Sequence, residues 1–309
     1  MRALRQADPG DRRGEHEQVT PQAPLQTWVP RGACDSHVHV FGPLARYPVD
    51  ADAPYAVPDD RPDHLLACMD AAGLQHAVIV HAAVSGRDNR RTLDALAQHP
   101  TRFRGVVLPP LEQPAAHELD TWHRTGVCGL RFSYTRTARA GMALQPQWVA
   151  CLAERGWHAQ LHVEADQLLM LEAELQALPV PLVIDHMARI PAAIGTRHPA
   201  FDCLRRLLDR GHVWVKLSAP MRLSQTTTYP YGDVTPLARA LAQHAPERVL
   251  WGSDWPHVNL QAPAPPYADL LALLHDWLPD PHARRQVLVD NAVALYRLAP
   301  TAWPGVSPA

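Results

Sequence analysis

The feature that most constrains this chain is an alternation. Short apolar runs alternate with longer stretches that carry helix signals, from residue 34 to residue 296. The apolar runs predict strands at 34–41, 77–80, 103–108, 127–132, 157–163, 181–185, 212–217 and 249–252. Helices are expected at 63–72, 89–98, 115–124, 146–155, 165–177, 201–209, 236–244, 267–278 and 281–296, several opened by Pro or stopped by Gly. Strands separated by helices pair in parallel, because parallel neighbours need a long crossover. Eight such units over about 250 residues fit an α/β fold of the (β/α)8 TIM barrel type. The competing open, doubly wound sheet lacks its signature: no Gly-x-Gly-x-x-Gly follows a strand, and there is no Walker A sequence. Residues 1–26 are polar and aperiodic and are expected to form a poorly ordered arm, with residues 27–309 as one barrel domain.

A barrel places its chemistry at the C-terminal ends of its strands and in the loops that follow. Those ends hold His37 and His39, His81, Arg131, His162 and Glu164, Asp185-His186 with Arg189, Arg222, and Asp254 with His257 and Asn259. Strand interiors are mostly Val, Ile and Leu, so ionisable residues gather at one end. Strict alternation along the first strand predicts Asp35, His37 and His39 on one face, with Ser36, Val38 and Val40 on the other. Cys34 would then point to the helix layer. His37-Val38-His39 is the sole His-x-His among 18 histidines. Histidines on strands 1, 5 and 6 with an Asp on strand 8 suit a zinc ion. The same groups also serve without metal: Asp254 deprotonates a water while histidines stabilise the developing oxyanion.

Composition narrows the function classes. With 47% hydrophobic residues the chain can bury a substantial core, and a net charge of -2 gives no argument for nucleic acid or a membrane surface. Of 29 basic side chains, Lys216 is the only lysine, which lowers the value of any single arginine as a clue. Five scattered cysteines fit a reducing cytoplasm. Neither an apolar run of about 18 residues nor an apolar stretch after Arg12-Arg13 appears, so no membrane span or signal peptide is expected. A proline-rich segment between Pro43 and Pro62, with Tyr47 and Tyr55, reads as a lid. No Gly-x-Ser-x-Gly elbow supports a serine hydrolase.

Three strings carry a family resemblance: Asp35-Ser36-His37-Val38-His39, Ile184-Asp185-His186-Met187 and Trp251-Gly252-Ser253-Asp254-Trp255-Pro256-His257. In this order they resemble the amidohydrolase superfamily, above all its lactonase branch of 2-pyrone-4,6-dicarboxylate hydrolases. The resemblance implies hydrolysis of a lactone in a small carboxylate-bearing substrate: a pyrone dicarboxylate, a sugar-acid lactone or a muconolactone. It implies Asp254 as the base and His37, His39 and His186 as the groups polarising the carbonyl. Tyr55, Arg131, Arg189 and Arg222 would hold substrate carboxylates, with His257 and Asn259 lining the strand 8 side. The chain departs from that pattern at Ala83 (Ser in the branch), near Thr137 and Arg136 (a second Arg) and at His162 (Tyr). These departures favour a related lactone with a different arrangement of acidic groups. His162 would either replace the Tyr hydroxyl as a substrate contact or complete a metal site of His37, His39, His162, His186 and Asp254. The branch itself implies no metal; other members would imply zinc or manganese. The alternative activity is a metal-dependent non-oxidative decarboxylase. Assembly into a homo-oligomer is left open.

Overall fold

The computed structural model describes residues 28–51, 53–135, 143–260 and 262–298. The expected arm at 1–26 lies outside them, as do Arg136 and Thr137. Among the described residues, eight parallel strands pair in sequence order: β1 (Cys34–Val38), β2 (His76–Val80), β3 (Phe103–Val107), β4 (Val127–Ser133), β5 (His158–His162), β6 (Leu182–Ile184), β7 (Val213–Ser218) and β8 (Val249–Gly252). Between them run α1 (Pro62–Ala72), α2 (Arg90–Gln98), α3 (Ala116–Thr125), α4 (Pro146–Arg155), α5 (Ala165–Gln176), α6 (Pro199–Leu208) and α7 (Thr235–His244). Helix α8 (Tyr267–Trp277) follows β8. The expected single helix at 281–296 is α9 (Pro281–Arg285) and α10 (Asn291–Tyr296), joined by a π-helical turn, Gln286–Asp290. None of these helices is long and apolar enough to cross a membrane.

Strand alternation builds two cores. Ala77, Ile79, Leu182, Ile184, Val213, Val215 and Leu217 face outward and pack with the helices. Val78, Val80, Val106, Val183, Trp214 and Leu250 fill the lower barrel interior, which Tyr296 and Leu298 close from below. Burying each large aliphatic side chain stabilises the fold by about 1.5–3 kcal/mol. Above this apolar floor the interior turns polar, with Gln160, Asp185 and Lys216 buried in one layer.

The first strand corrects the expected alternation. Asp35 pairs with Ala77 and Val38 with Ile79, so β1 spends one residue more than β2 over the same span. Such a bulge turns two consecutive side chains to one face. Cys34 therefore belongs to the inner core rather than the helix layer. Asp35 points outward, where Tyr267 of α8 donates to its Oδ2 at 2.7 Å. It does not share a face with His37 and His39. The barrel closes through residues just past both strand ends. Asp254 N–H donates to the His37 carbonyl at 2.9 Å and His39 N–H to the Trp255 carbonyl at 2.8 Å. These two backbone hydrogen bonds tie the His-x-His segment directly to the Asp254 segment.

Candidate active site

At the C-terminal mouth of the barrel, one carboxylate oxygen gathers three imidazoles. Asp254 Oδ1 lies 3.4 Å from His39 Nε2, 3.7 Å from His37 Nε2 and 3.7 Å from His186 Nε2. Its Oδ2 accepts from Arg222 Nε at 3.0 Å. All four residues of the imidazole–carboxylate group are nearly inaccessible to solvent. Gly252 makes room for this packing: a Cβ built there would meet His37 Cβ at 2.7 Å and His37 N at 3.0 Å.

The far sides of the rings are held as well. His39 Nδ1–H donates to the Val80 carbonyl at 2.7 Å. His186 Nδ1 shares a hydrogen bond with Ser218 Oγ at 2.7 Å. His37 Nδ1 stands between Asp185 Oδ1 at 3.2 Å and Lys216 Nζ at 3.3 Å. Asp185 Oδ2 in turn accepts from Arg131 Nε at 3.1 Å and Gln160 Nε2 at 3.2 Å. His186 sits in a turn of unusual hand. His186, Met187, Ala188 and Arg189 all have φ between 50° and 54°. Left-handed backbone costs a non-glycine residue about 1 kcal/mol or more. The turn is held by full burial of Met187 and Ala188, by the His186–Ser218 bond and by the Arg189–Glu164 ion pair.

Burial sets the protonation states. It pushes the His37 imidazole down to about 3, helped by the Lys216 charge, and it holds His186 and His162 well below the ordinary histidine range. Burial alone would raise Asp254, but Arg222 and the neighbouring imidazoles outweigh it and keep the carboxyl well below the usual range. Asp185 is likewise held down against burial, by His37, Lys216 and Arg131. The Lys216 ammonium is lowered by burial to about 8.

Over this cluster opens a cavity of about 280 Å³. His39, His186 and Asp254 line it, together with Tyr55, Arg131, His162, Arg189, Arg222 and Asn259. Sequence reasoning named each of these, and the fold brings them to one cavity. Tyr55 arrives on the proline-rich segment. His37 lies just beneath, with no exposed surface. His257 is placed differently: it does not line the cavity, and its Nε2 sits 3.1 Å from the Ser253 carbonyl. His81 is also engaged elsewhere, its ring nitrogens against Thr92 Oγ1 and the Gly86 carbonyl. Each cavity arginine already has an acidic partner: Arg131 with Asp185, Arg189 with Glu164 and Arg222 with Asp254. The residues beneath the imidazoles (Gln160, Asp185, Lys216, Ser218) were not singled out by the sequence as a working group. One signal existed. The only lysine stands at the centre of the apolar strand Val213–Ser218, where a charge is costly without a buried partner.

The donor set suits a divalent metal ion. A histidine whose Nδ1–H is given to a backbone carbonyl presents the Nε2 lone pair, as metal-bound histidines do. His39 Nδ1 is held in that way, and its Nε2 faces the Asp254 carboxylate across 3.4 Å. Two lone pairs at that distance need a proton or a cation between them. His37 Nε2 is buried with no hydrogen-bond partner. The ligand atoms of His37, His39 and Asp254 lie within 4.8 Å of one another, as do those of His37, Asp185 and His186. His162 is in neither group; its Nδ1 stands 3.5 Å from Ser133 Oγ.

Comparison with known proteins gives a consistent picture. The model of the amidohydrolase family matches residues 34–298. A 4-sulfomuconolactone hydrolase from Rhizobium radiobacter is 36% identical over 89% of this chain and 93% of its own length. A 2-pyrone-4,6-dicarboxylate hydrolase from Comamonas testosteroni is 33% identical over 89% of this chain and 92% of its own. The solved structure of an amidohydrolase from Burkholderia multivorans, with bound zinc, superposes with a TM-score of 0.68 at 26% identity. It covers 86% of this chain and 99% of that one.

Proposed function

This chain belongs to the amidohydrolase family, and on that premise we propose that it hydrolyses the ring ester of a small lactone bearing at least one acidic group. The observation that carries the proposal is the surrounding of Asp254. An ionised carboxylate and three imidazoles meet at the floor of a cavity ringed by arginines. Both curated relatives named above are lactone hydrolases with acidic substrates, a sulfonate in one and two carboxylates in the other. The charge inventory supports an anion. Three arginines, Arg131, Arg189 and Arg222, line the cavity beside one lining carboxylate, Asp254, and their guanidinium groups offer an anionic substrate paired N–H donors.

In the proposed reaction, water lies between Asp254 Oδ1 and the scissile carbonyl. Asp254 takes a proton from the water as its oxygen attacks. Charge develops on the carbonyl oxygen beside the imidazole cluster, where groups buried away from water act more strongly than in solution. The ring C–O bond then breaks, and the proton passes from Asp254 to the departing ring oxygen, so one water is consumed per ring opened. His39 assists the intermediate stage: protonated Oδ1 has the His39 Nε2 lone pair 3.4 Å away as an acceptor. Arg131, Arg189 and Arg222 orient the acidic groups by paired N–H donors, with Tyr55, His162 and Asn259 in the same lining. If the protein takes a zinc or manganese ion, His37, His39, His186 and Asp254 would hold it, and the ion would supply Lewis-acid polarisation. The decarboxylase alternative gains no support from either relative. The five cysteines are free, three of them buried, which fits the reducing cytoplasm in which we place the reaction.

The test is ring opening across a panel of sulfonated muconolactones, pyrone dicarboxylates and sugar-acid lactones. Chelator-stripped protein and protein reloaded with zinc or manganese are assayed side by side. Opening of at least one acidic lactone is expected. No opening by either form would overturn the proposal.

A further inference from the structure

The cavity over Asp254 has two unlike sides, and the circular strand order sets them opposite each other. One side follows the ends of β4, β5, β6 and β7. It presents Arg131, Ser133, Thr135, His162, Arg189 and Arg222. Ser133 Oγ lies 3.3 Å from Thr135 Oγ1 and 3.5 Å from His162 Nδ1, so two hydroxyls and an imidazole stand together on this side. The other side follows β2 and β8, with the segment between β1 and α1. It presents Pro54, Tyr55, Ala82, Ala83, Val84 and Val258. This side is a built wall: Phe41, Ala82 and Val84 are buried in one hydrophobic cluster, with Tyr55, Val57 and Val258 packed against it. The Tyr55 hydroxyl and the neighbouring Asn259 amide supply its side-chain polar groups, and both are uncharged. Arg222 marks the border. Its Nε donates to Asp254 Oδ2 and its Nη2 to the Val258 carbonyl, so two of its three nitrogens are already engaged.

The two sides want different chemistry. A carboxylate or sulfonate on the first side meets guanidinium and hydroxyl donors. A second acid on the other side would exchange water for alanine, valine and proline, with no cation of its own to pair with, which is costly. A hydrocarbon group there gains by leaving water. We propose that this chain selects a lactone with one acidic substituent and, across the ring from it, a short hydrocarbon substituent. The acid is held on the arginine side, and the hydrocarbon is seated on the wall of Ala82, Ala83 and Val84. A pyrone dicarboxylate, with its two acids, fits such a cavity poorly. Only the ring ester rests on the lactonase reading; the two-sided cavity stands without it.

The experiment uses the full chain and one unsaturated lactone ring that carries a carboxylate. The substituent across the ring is varied: hydrogen, methyl, ethyl or a second carboxylate. The methyl lactone should exceed the dicarboxylate about tenfold or more in kcat/KM, with the hydrogen compound between them. A dicarboxylate opened as well as the methyl compound, or better, overturns the proposal and leaves the lactonase reading intact. The matching ring ethers, which lack the scissile carbonyl, are titrated by calorimetry in parallel and should bind in the same order. If no lactone is opened, the lactonase reading fails, and the ether series still decides this proposal: a dicarboxylate ether that binds as tightly as the methyl ether overturns it. Ala83→Leu fills the apolar side. It should weaken binding of the ethyl ether about tenfold and that of the hydrogen ether much less; equal losses for both overturn the proposal. Should Ala83→Leu fail to fold, the unsubstituted protein decides alone.

Discussion

Asp254 is held ionised by Arg222 on one oxygen and faces three imidazoles with the other. Replacing it with Asn keeps the shape and removes the proton acceptor. Asp254→Asn should lower kcat about 10³-fold, within the range for a lost general base, while a substrate or product still binds. Steady-state kinetics beside calorimetric titration measures both. Arg222 adds a finer expectation. A substrate carboxylate that draws the guanidinium away from Oδ2 leaves Asp254 a stronger base. A lactone whose acidic group is replaced by a neutral amide should therefore lose kcat as well as gain KM. A change in KM alone would mean that Arg222 only binds. Gly252 is a third lever. Gly252→Ala drives a methyl into His37, so activity should fall at least tenfold while far-ultraviolet circular dichroism shows the helix content retained. Asp254 and Arg222 were legible because each lies in the loop just after a strand. Lys216 was not: its partners come from β1, β5 and β6, and no sequence interval joins them.

At the scale of elements, the bulge in β1 is the device that separates structure from chemistry. It sends Asp35 outward to anchor α8 and His37 inward to the cluster. Asp35 is buried, and its Oδ1 accepts from the backbone N–H groups of His37 and Ser253. Tyr267→Phe removes the donor to Oδ2 and leaves that oxygen without its partner. A loss of about 1–3 kcal/mol is expected from urea denaturation, with kcat nearly unchanged because the inner face is untouched. A stability change below the error of the fit would mean that the Tyr267 bond contributes little. Periodicity alone put Asp35 with the histidines. An extra residue in a strand leaves no mark on a pattern of two, so alternation alone cannot place Asp35. The left-handed turn at His186 was equally hidden, since Met187, Ala188 and Arg189 are ordinary helix formers whose backbone is overruled by packing.

For the whole molecule, buried histidines set the response to acid. Burial lowers His81 to about 4, His158 to about 3 and His257 to about 4. In the unfolded chain each takes a proton near 6.5. Between pH 6.5 and 4 the unfolded state therefore binds more protons, and stability falls as pH falls. Asp35 acts in the opposite sense. Burial raises its carboxyl to about 6, so the native state keeps a proton that the unfolded chain releases. The three histidines outweigh Asp35, and His37, His162 and His186 act in the same sense, so the net slope near pH 5 is at least about 3 kcal/mol per pH unit. Urea midpoints at pH 7, 6 and 5 should fall progressively; a flat series would show that these histidines are charged in the native state.

The eightfold alternation and the polar strand ends determined the barrel and the end at which its site lies, because both follow from local periodicity and chain order. Sequence also named the four groups that meet at the cavity floor, since strand position alone brings them there. Only the tertiary structure decided how they are paired. Which acid each arginine meets and which way Asp35 turns both depend on register between strands far apart in the chain. That register is settled by packing the whole interior at once, and no local stretch carries it.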